Sequence, residues 1–217
     1  MAETHLINNS VFIHIPKTAG TYLTFALGIK RFILPRQRVL FKQYGHVTFG
    51  HQDYSRLRKL NVVSDKFDKS AFKYTFTRNP FDRAVSHYFY TRLRHPEILG
   101  GQVGFLEYTR NLHKYKRLPK HQGRIGGKLA FRPQCECIQD VEIDFIGRYE
   151  NFDNDLERIR KILGVPRLEV PKKRYNRTRH KPYVGYYNDE SIENIQRFYA
   201  IDFEFFGYDN RLLSIFR

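Results

Sequence analysis

The stretch VFIHIPKTAGTYL, Val11 to Leu23, decides the fold. Val11 to Ile15 reads as a short buried strand. Pro16, Lys17 and small residues follow, and Thr21 to about Leu27 reads as a helix with Gly20 or Thr21 near its start. A strand that turns directly into a helix is the opening of a βα unit. Helix N-termini carry unpaired N–H groups and partial positive charge, so such a turn suits a phosphate. Ala19 and Gly20 let backbone approach an anion, Thr18 and Thr21 bring hydroxyls, and Lys17 brings a point charge. The nucleotide-kinase pattern G-x-x-x-x-G-K-[ST] places its lysine after the last glycine. Here Lys17 precedes Gly20, and no strand ends in a clear Asp to hold Mg²⁺. The cation at this turn is therefore expected to come from the protein.

Working outward, FKYTFT, Phe72 to Thr77, is aromatic and β-branched and reads as a second strand. RNPFDRAVSHYFY follows at once. Asn79 is a helix cap, Pro80 suits the first helical position, and Asp82 lies in the first turn, where negative charge is favoured. Arg78 stands at the strand's C-terminal end, where open α/β sheets bind ligands. Arg83 and Ser86 are three apart and share a helical face, Arg83 being read either as a ligand or as an ion-pair residue. Two anion sites on two βα units imply a ligand with two separated phosphates. Ile143 to Tyr149 is a third strand candidate. Asn151 to Leu163 is an amphipathic helix closed by Gly164 and Pro166, and Glu190 to about Phe206 is a last helix. Strands followed closely by helices predict an α/β fold, P-loop-like and three-layered, with a central parallel sheet flanked by helices. His14 is expected to pack in or near the sheet.

The 217 residues predict one domain, 1–217. A basic loop is expected at about 113–137 and a basic, aromatic one at about 172–187. The composition, 41% hydrophobic with 16% aromatic residues, argues against disorder. A formal net charge of +16 attracts anions: nucleic acid, anionic lipid, acidic polysaccharide or a phosphorylated cofactor. Two cysteines, Cys135 and Cys137, make no disulfide framework, and no second Cys/His cluster is spaced for zinc. No transmembrane segment and no signal-peptide core are read, so the expected location is cytoplasmic.

HIPKTAGT paired with RNPFDRAVSHYFY resembles the two cofactor signatures of sulfotransferases that use PAPS, 3′-phosphoadenosine 5′-phosphosulfate. The likeness is closest to the carbohydrate sulfotransferase branch, sulfotransferase family 2. It extends to FIGRYENFDNDLERI and FYAIDFEFFGYD, and so spans residues 11 to about 209. The resemblance implies that Lys17, Thr18, Ala19, Gly20, Thr21 and Tyr22 surround the 5′-phosphosulfate. It implies that Arg78 and Ser86 hold the 3′-phosphate. Arg177, Thr178 and Arg179, in NRTRHKPY, match a segment that covers the cofactor. A histidine in a GH element looks like the catalytic base. YGHVTFGHQDYSRL carries two, His46 and His51, and the distance of FGHQDY from the second strand favours His51. The implied activity is transfer of a sulfuryl group from PAPS to an acceptor hydroxyl, on a carbohydrate, without a metal or nucleic-acid partner. Lys17 would stabilise the leaving group. Two other classes are kept beside it: an ATP-dependent P-loop kinase and a basic polyanion- or nucleic-acid-binding protein.

Overall fold

The computed structural model describes residues 7, 9–31, 45–117, 130–169 and 180–212. Among the described residues, five parallel strands make one sheet: β1 (Ser10–Phe12), β2 (Lys30–Arg31), β3 (His46–Thr48), β4 (Phe72–Thr77) and β5 (Phe145–Arg148). Their order is β2-β3-β1-β4-β5. The chain leaves β1 toward β2 and β3 on one side and resumes with β4 and β5 on the other. Neighbours β1 and β4 therefore bound the topological switch point, whose C-terminal crevice is where open parallel sheets take ligands.

The chain groups into two units. The first is 1–77 with 137–175; the second is 78–136 with 176–217. In the first unit, α1 (Gly20–Ala26) and α8 (Phe152–Ile162) cover one face of the sheet. Phe12, Tyr74, Phe76 and Phe145 point to that face and pack with Leu23, Ala26, Leu156 and Ile159. The alternation puts Lys73 on the opposite face, beside α2 (Tyr54–Lys59) and α3 (Asp65–Ser70). Its ammonium donates to the Asp68 and Ala71 carbonyls and sits 3.6 Å from the Asp68 carboxylate. Tyr54 and Arg58 of α2 reach the same carboxylate, at 2.8 and 3.0 Å. The buried lysine is thus fully engaged, as burial of a charge requires.

Phe76 of β4 lies opposite Gly147 of β5. A Cβ on Gly147 would come within 2.5 Å of the Phe76 ring. Gly147→Ala is expected to overpack this layer and cost about 1–3 kcal/mol. Chemical denaturation would read that as a lower midpoint at unchanged slope; an unchanged midpoint would contradict it.

The second unit is helical: α4 (Pro80–Arg94), α5 (Pro96–Leu99), α6 (Phe105–Arg110), α7 (Leu112–Lys116), α9 (Asp189–Phe198) and α10 (Ala200–Phe206). Its core joins Phe81, Tyr88, Tyr108, Leu112, Ile195, Tyr199 and Phe203. Asn79 caps α4 by accepting the Phe81 N–H, with Pro80 in the first turn. Asn188 and Ser191 form a reciprocal capping box on α9.

Several expectations are corrected. The last helix is two, α9 and α10, meeting at Tyr199. The segment expected to be irregular from residue 113 begins inside α7. The first strand ends at Phe12, so His14 and Ile15 belong to the turn that follows. Among the described residues, no helix is long and apolar enough to cross a membrane.

Candidate active site

The turn after β1 is built under backbone constraint. Lys17 and Ala19 both take left-handed φ, 72° and 64°, which is costly for residues carrying a Cβ. Thr18 is buried and its hydroxyl donates to the Ile15 carbonyl at 2.8 Å, closing the turn on itself. That hydroxyl is spent within the loop, and Thr18 has its backbone to offer a ligand. Among the described residues no side chain caps α1. Thr21 and Tyr22 are half-buried in its first turn. The Tyr22 ring packs edge-on against Phe152 of α8, 5.6 Å between centroids.

The turn after β3 lies beside it. Thr48 donates to the Phe12 carbonyl at 2.8 Å and accepts the Gly50 N–H at 3.2 Å. Gly50 has φ 61°, the left-handed region that glycine adopts without strain. Asp53 caps α2 by accepting the Arg56 N–H at 3.0 Å. His51 is held between these two anchors. Its Nε2 lies 3.3 Å from His14 Nε2, with the two rings 4.2 Å apart and steeply inclined. Arg31, at the end of β2, brings its guanidinium within 3.5 Å of where a Gly50 Cβ would sit.

His14, Lys17, Arg31 and His51 thus gather beyond the C-terminal ends of β1, β2 and β3. Burial, then His51, Arg31 and Lys17, push the His14 pKa well below 6.5. His46 stands at the other end of its strand. It pairs with Ser10 at the N-terminal edge of the sheet, its Nδ1 2.9 Å from the Ser10 hydroxyl. Burial lowers its pKa too, against a smaller opposing effect of a backbone hydrogen bond at Leu163.

These two histidines give stability a pH dependence. Below about 6.5 the unfolded chain takes up protons that native His14 and His46 refuse, so the native state loses ground as pH falls. Stability should be full above that value, decline below it, and level off once the native pKa values are passed. Urea melts across a pH series would show the slope, and His14→Gln should make it shallower. A stability that rises on acidification from neutral pH would contradict this.

In the second unit, Arg78 is buried and grips Asp82 through two hydrogen bonds of 2.8 Å. The backbone of Arg78 is clamped by Gln134, which accepts its N–H at 3.0 Å and donates to its carbonyl at 2.8 Å. Gln134 and Cys135 in turn give their N–H groups to the two oxygens of Asp202, at 2.8 and 2.9 Å. Asp202 is fully buried, and burial raises its pKa against the pull of Arg83 and these donors. Arg83 donates to the carbonyls of Arg132 and Ala130 and lies 5.6 Å over the Tyr199 ring. It therefore braces the chain before Gln134. Ser86 is buried one turn further along α4.

Gln134, Asp202 and His14 are functional candidates that sequence reasoning passed over. Asp202 and Gln134 are far apart in the chain, and no local pattern joins them. His14 carried a signal, a polar residue in an apolar run immediately before the turn. Arg177, Thr178 and Arg179 lie outside the described residues. Cys135 and Cys137 are buried thiols, and among the described residues no group of three His, Cys, Asp or Glu is placed to hold a metal.

A parallel sheet in this order, with a lysine-bearing turn between β1 and α1, defines a P-loop-like α/β protein. The sulfotransferase family model matches residues 7–209, and the chain belongs to that family. Carbohydrate sulfotransferase 10 of Danio rerio is 26% identical over 179 residues, covering 73% of this chain and 48% of that protein. The chain thus spans about half the length of that relative. An uncharacterized protein of Archaeoglobus fulgidus is 26% identical over 108 residues, 49% of this chain and 78% of the other. The crystal structure of a sulfotransferase from Alicyclobacillus acidocaldarius superposes with a TM-score of 0.54 at 15% identity, covering 93% and 96% of the two chains. At that identity the likeness is one of fold.

Proposed function

We propose that this chain transfers a sulfuryl group from PAPS to an acceptor hydroxyl, with His51 as base and Lys17 stabilising the leaving group. The observation that carries the reading is the convergence of Lys17 and His51 at the C-terminal ends of the strands, with His14 between them. The turn fits a phosphosulfate. Among the described residues no side chain caps α1, and Lys17 stands on the turn that leads into it. PAPS, when bound, supplies the sulfuryl group and keeps both phosphates on the departing nucleotide.

His51 takes the proton of the acceptor hydroxyl as its oxygen bonds to sulfur. Lys17, with the N–H groups of residues 18–21, meets the negative charge that grows on the departing oxygen. Thr18, Ala19, Gly20, Thr21 and Tyr22 shape this end of the site. Arg78 and Ser86 are assigned to the 3′-phosphate, where they bind without entering the chemistry. Asp82 and Gln134 already hold Arg78 in one conformation, so little side-chain entropy remains to be lost on binding. Arg177, Thr178 and Arg179 are assigned to covering the nucleotide. A carbohydrate acceptor is supported by the zebrafish relative's name and by the excess of positive charge.

A thermal-shift comparison tests the donor assignment. Adenosine 3′,5′-bisphosphate should raise the melting temperature, while ATP with Mg²⁺ and short DNA should not. Stabilisation by ATP with Mg²⁺ alone would favour a kinase, and stabilisation by DNA alone a polyanion-binding protein.

A further inference from the structure

We propose that His14 is a positioning residue for His51, accepting the His51 Nε2–H and so fixing the proton-accepting lone pair of that ring at Nδ1. The inference rests on the reading of His51 as the base.

Two imidazoles joined Nε2 to Nε2 have two possible arrangements. If His14 donates, the His51 Nε2 lone pair is consumed and its proton lies on Nδ1. His51 then has no lone pair for an acceptor hydroxyl. If His51 donates, Nδ1 is left basic, and the bond survives when the ring takes a second proton. Only the second arrangement lets His51 work as a base without breaking the contact at 3.3 Å.

The surroundings keep His14 from becoming an imidazolium, a form whose nitrogens could not accept from His51. Lys17 on the turn after β1, Arg31 on β2 and His51 itself all oppose a second proton on the ring, and burial opposes it more. The His14 ring is also fixed in place, stacked on Phe12 with centroids 5.4 Å apart. Its other side is closed by Gly20: a Cβ there would lie 2.1 Å from His14 Cδ2 and 2.2 Å from Nε2. Gly20 thus leaves the room that the imidazole fills. The arrangement parallels a base oriented by a third group, with a neutral ring standing where hydrolases place a carboxylate. A neutral partner suits an electropositive site because it leaves the local positive charge available to the donor anion.

The test combines histidine-ring nitrogen NMR on the full chain with steady-state kinetics. In the wild type, His51 should carry its proton on Nε2. In His14→Ala that single tautomer should give way to a mixture, and in His14→Gln, whose side-chain oxygen replaces the acceptor, it should persist. Turnover should fall about 10- to 100-fold in His14→Ala, less than loss of the base itself, with the donor KM little changed. His14→Gln should recover most of the loss. A wild-type His51 protonated on Nδ1, or a tautomer indifferent to His14→Ala in an active enzyme, would overturn the inference. The wild-type tautomer needs no substitution, so the question is decided even where His14→Ala fails to fold. An unaltered wild-type chain that transfers no sulfuryl group would instead overturn the functional reading beneath it.

Discussion

His51→Ala is expected to lower turnover by about 10²–10⁴-fold, the range of a positioned general base. An acceptor hydroxyl is a poor nucleophile until its proton leaves, and His51 is the ring beyond the C-terminal ends of the strands that sits with Lys17 around His14. The loss should appear in kcat, with the donor KM little affected, because proton removal belongs to the transition state. His46→Ala is the control. His46 pairs with Ser10 at the N-terminal edge of the sheet and should affect stability while sparing turnover. Full turnover in His51→Ala, with loss in His46→Ala, would reverse the assignment of the base.

Lys17→Ala is expected to lower kcat by about 10²–10³-fold, as removal of a single charge-stabilising donor does elsewhere. The substitution isolates the charge. Lys17 has φ 72°, and alanine pays much the same penalty there, so the loop keeps its strain and its shape. Lys17→Gly would relax the turn and confuse the two effects. Binding of adenosine 3′,5′-bisphosphate to Lys17→Ala should weaken far less than kcat falls, since the charge that Lys17 meets grows only as the bond to sulfur breaks. Equal losses in binding and in turnover would make Lys17 a phosphate ligand with no part in the chemistry.

The βα units were legible because their signals are local. Phe72–Thr77 alternates an aromatic face with a face of Lys73, Thr75 and Thr77 and was readable to the residue, and Asn79-Pro80 announces the start of α4. Strands β2 and β3 are two and three residues long, too short for any period to show. The break at Tyr199 has no proline or glycine to mark it, and the apolar spacing runs on from α9 into α10. In the site, Lys17 stands three residues before Gly20 and His51 directly after Gly50, in recognisable turns. The groups that position them are joined through space: His14 meets His51 across 37 residues, and Gln134 meets Asp202 across 68. Spacing along the chain carries no trace of such pairs. Arg78 shows the same division: its place after a strand was readable, while its grip on Asp82 and its clamp by Gln134 needed the fold.

The most direct measurement is transfer of radiolabelled sulfate from PAPS to a panel of glycans and small hydroxyl compounds, run with a chelator present. Labelled product is expected with at least one glycan, together with equimolar adenosine 3′,5′-bisphosphate, and near-complete loss of both in His51→Ala and Lys17→Ala. Bound PAPS that never yields labelled product, or transfer that persists undiminished in both variants, would contradict it.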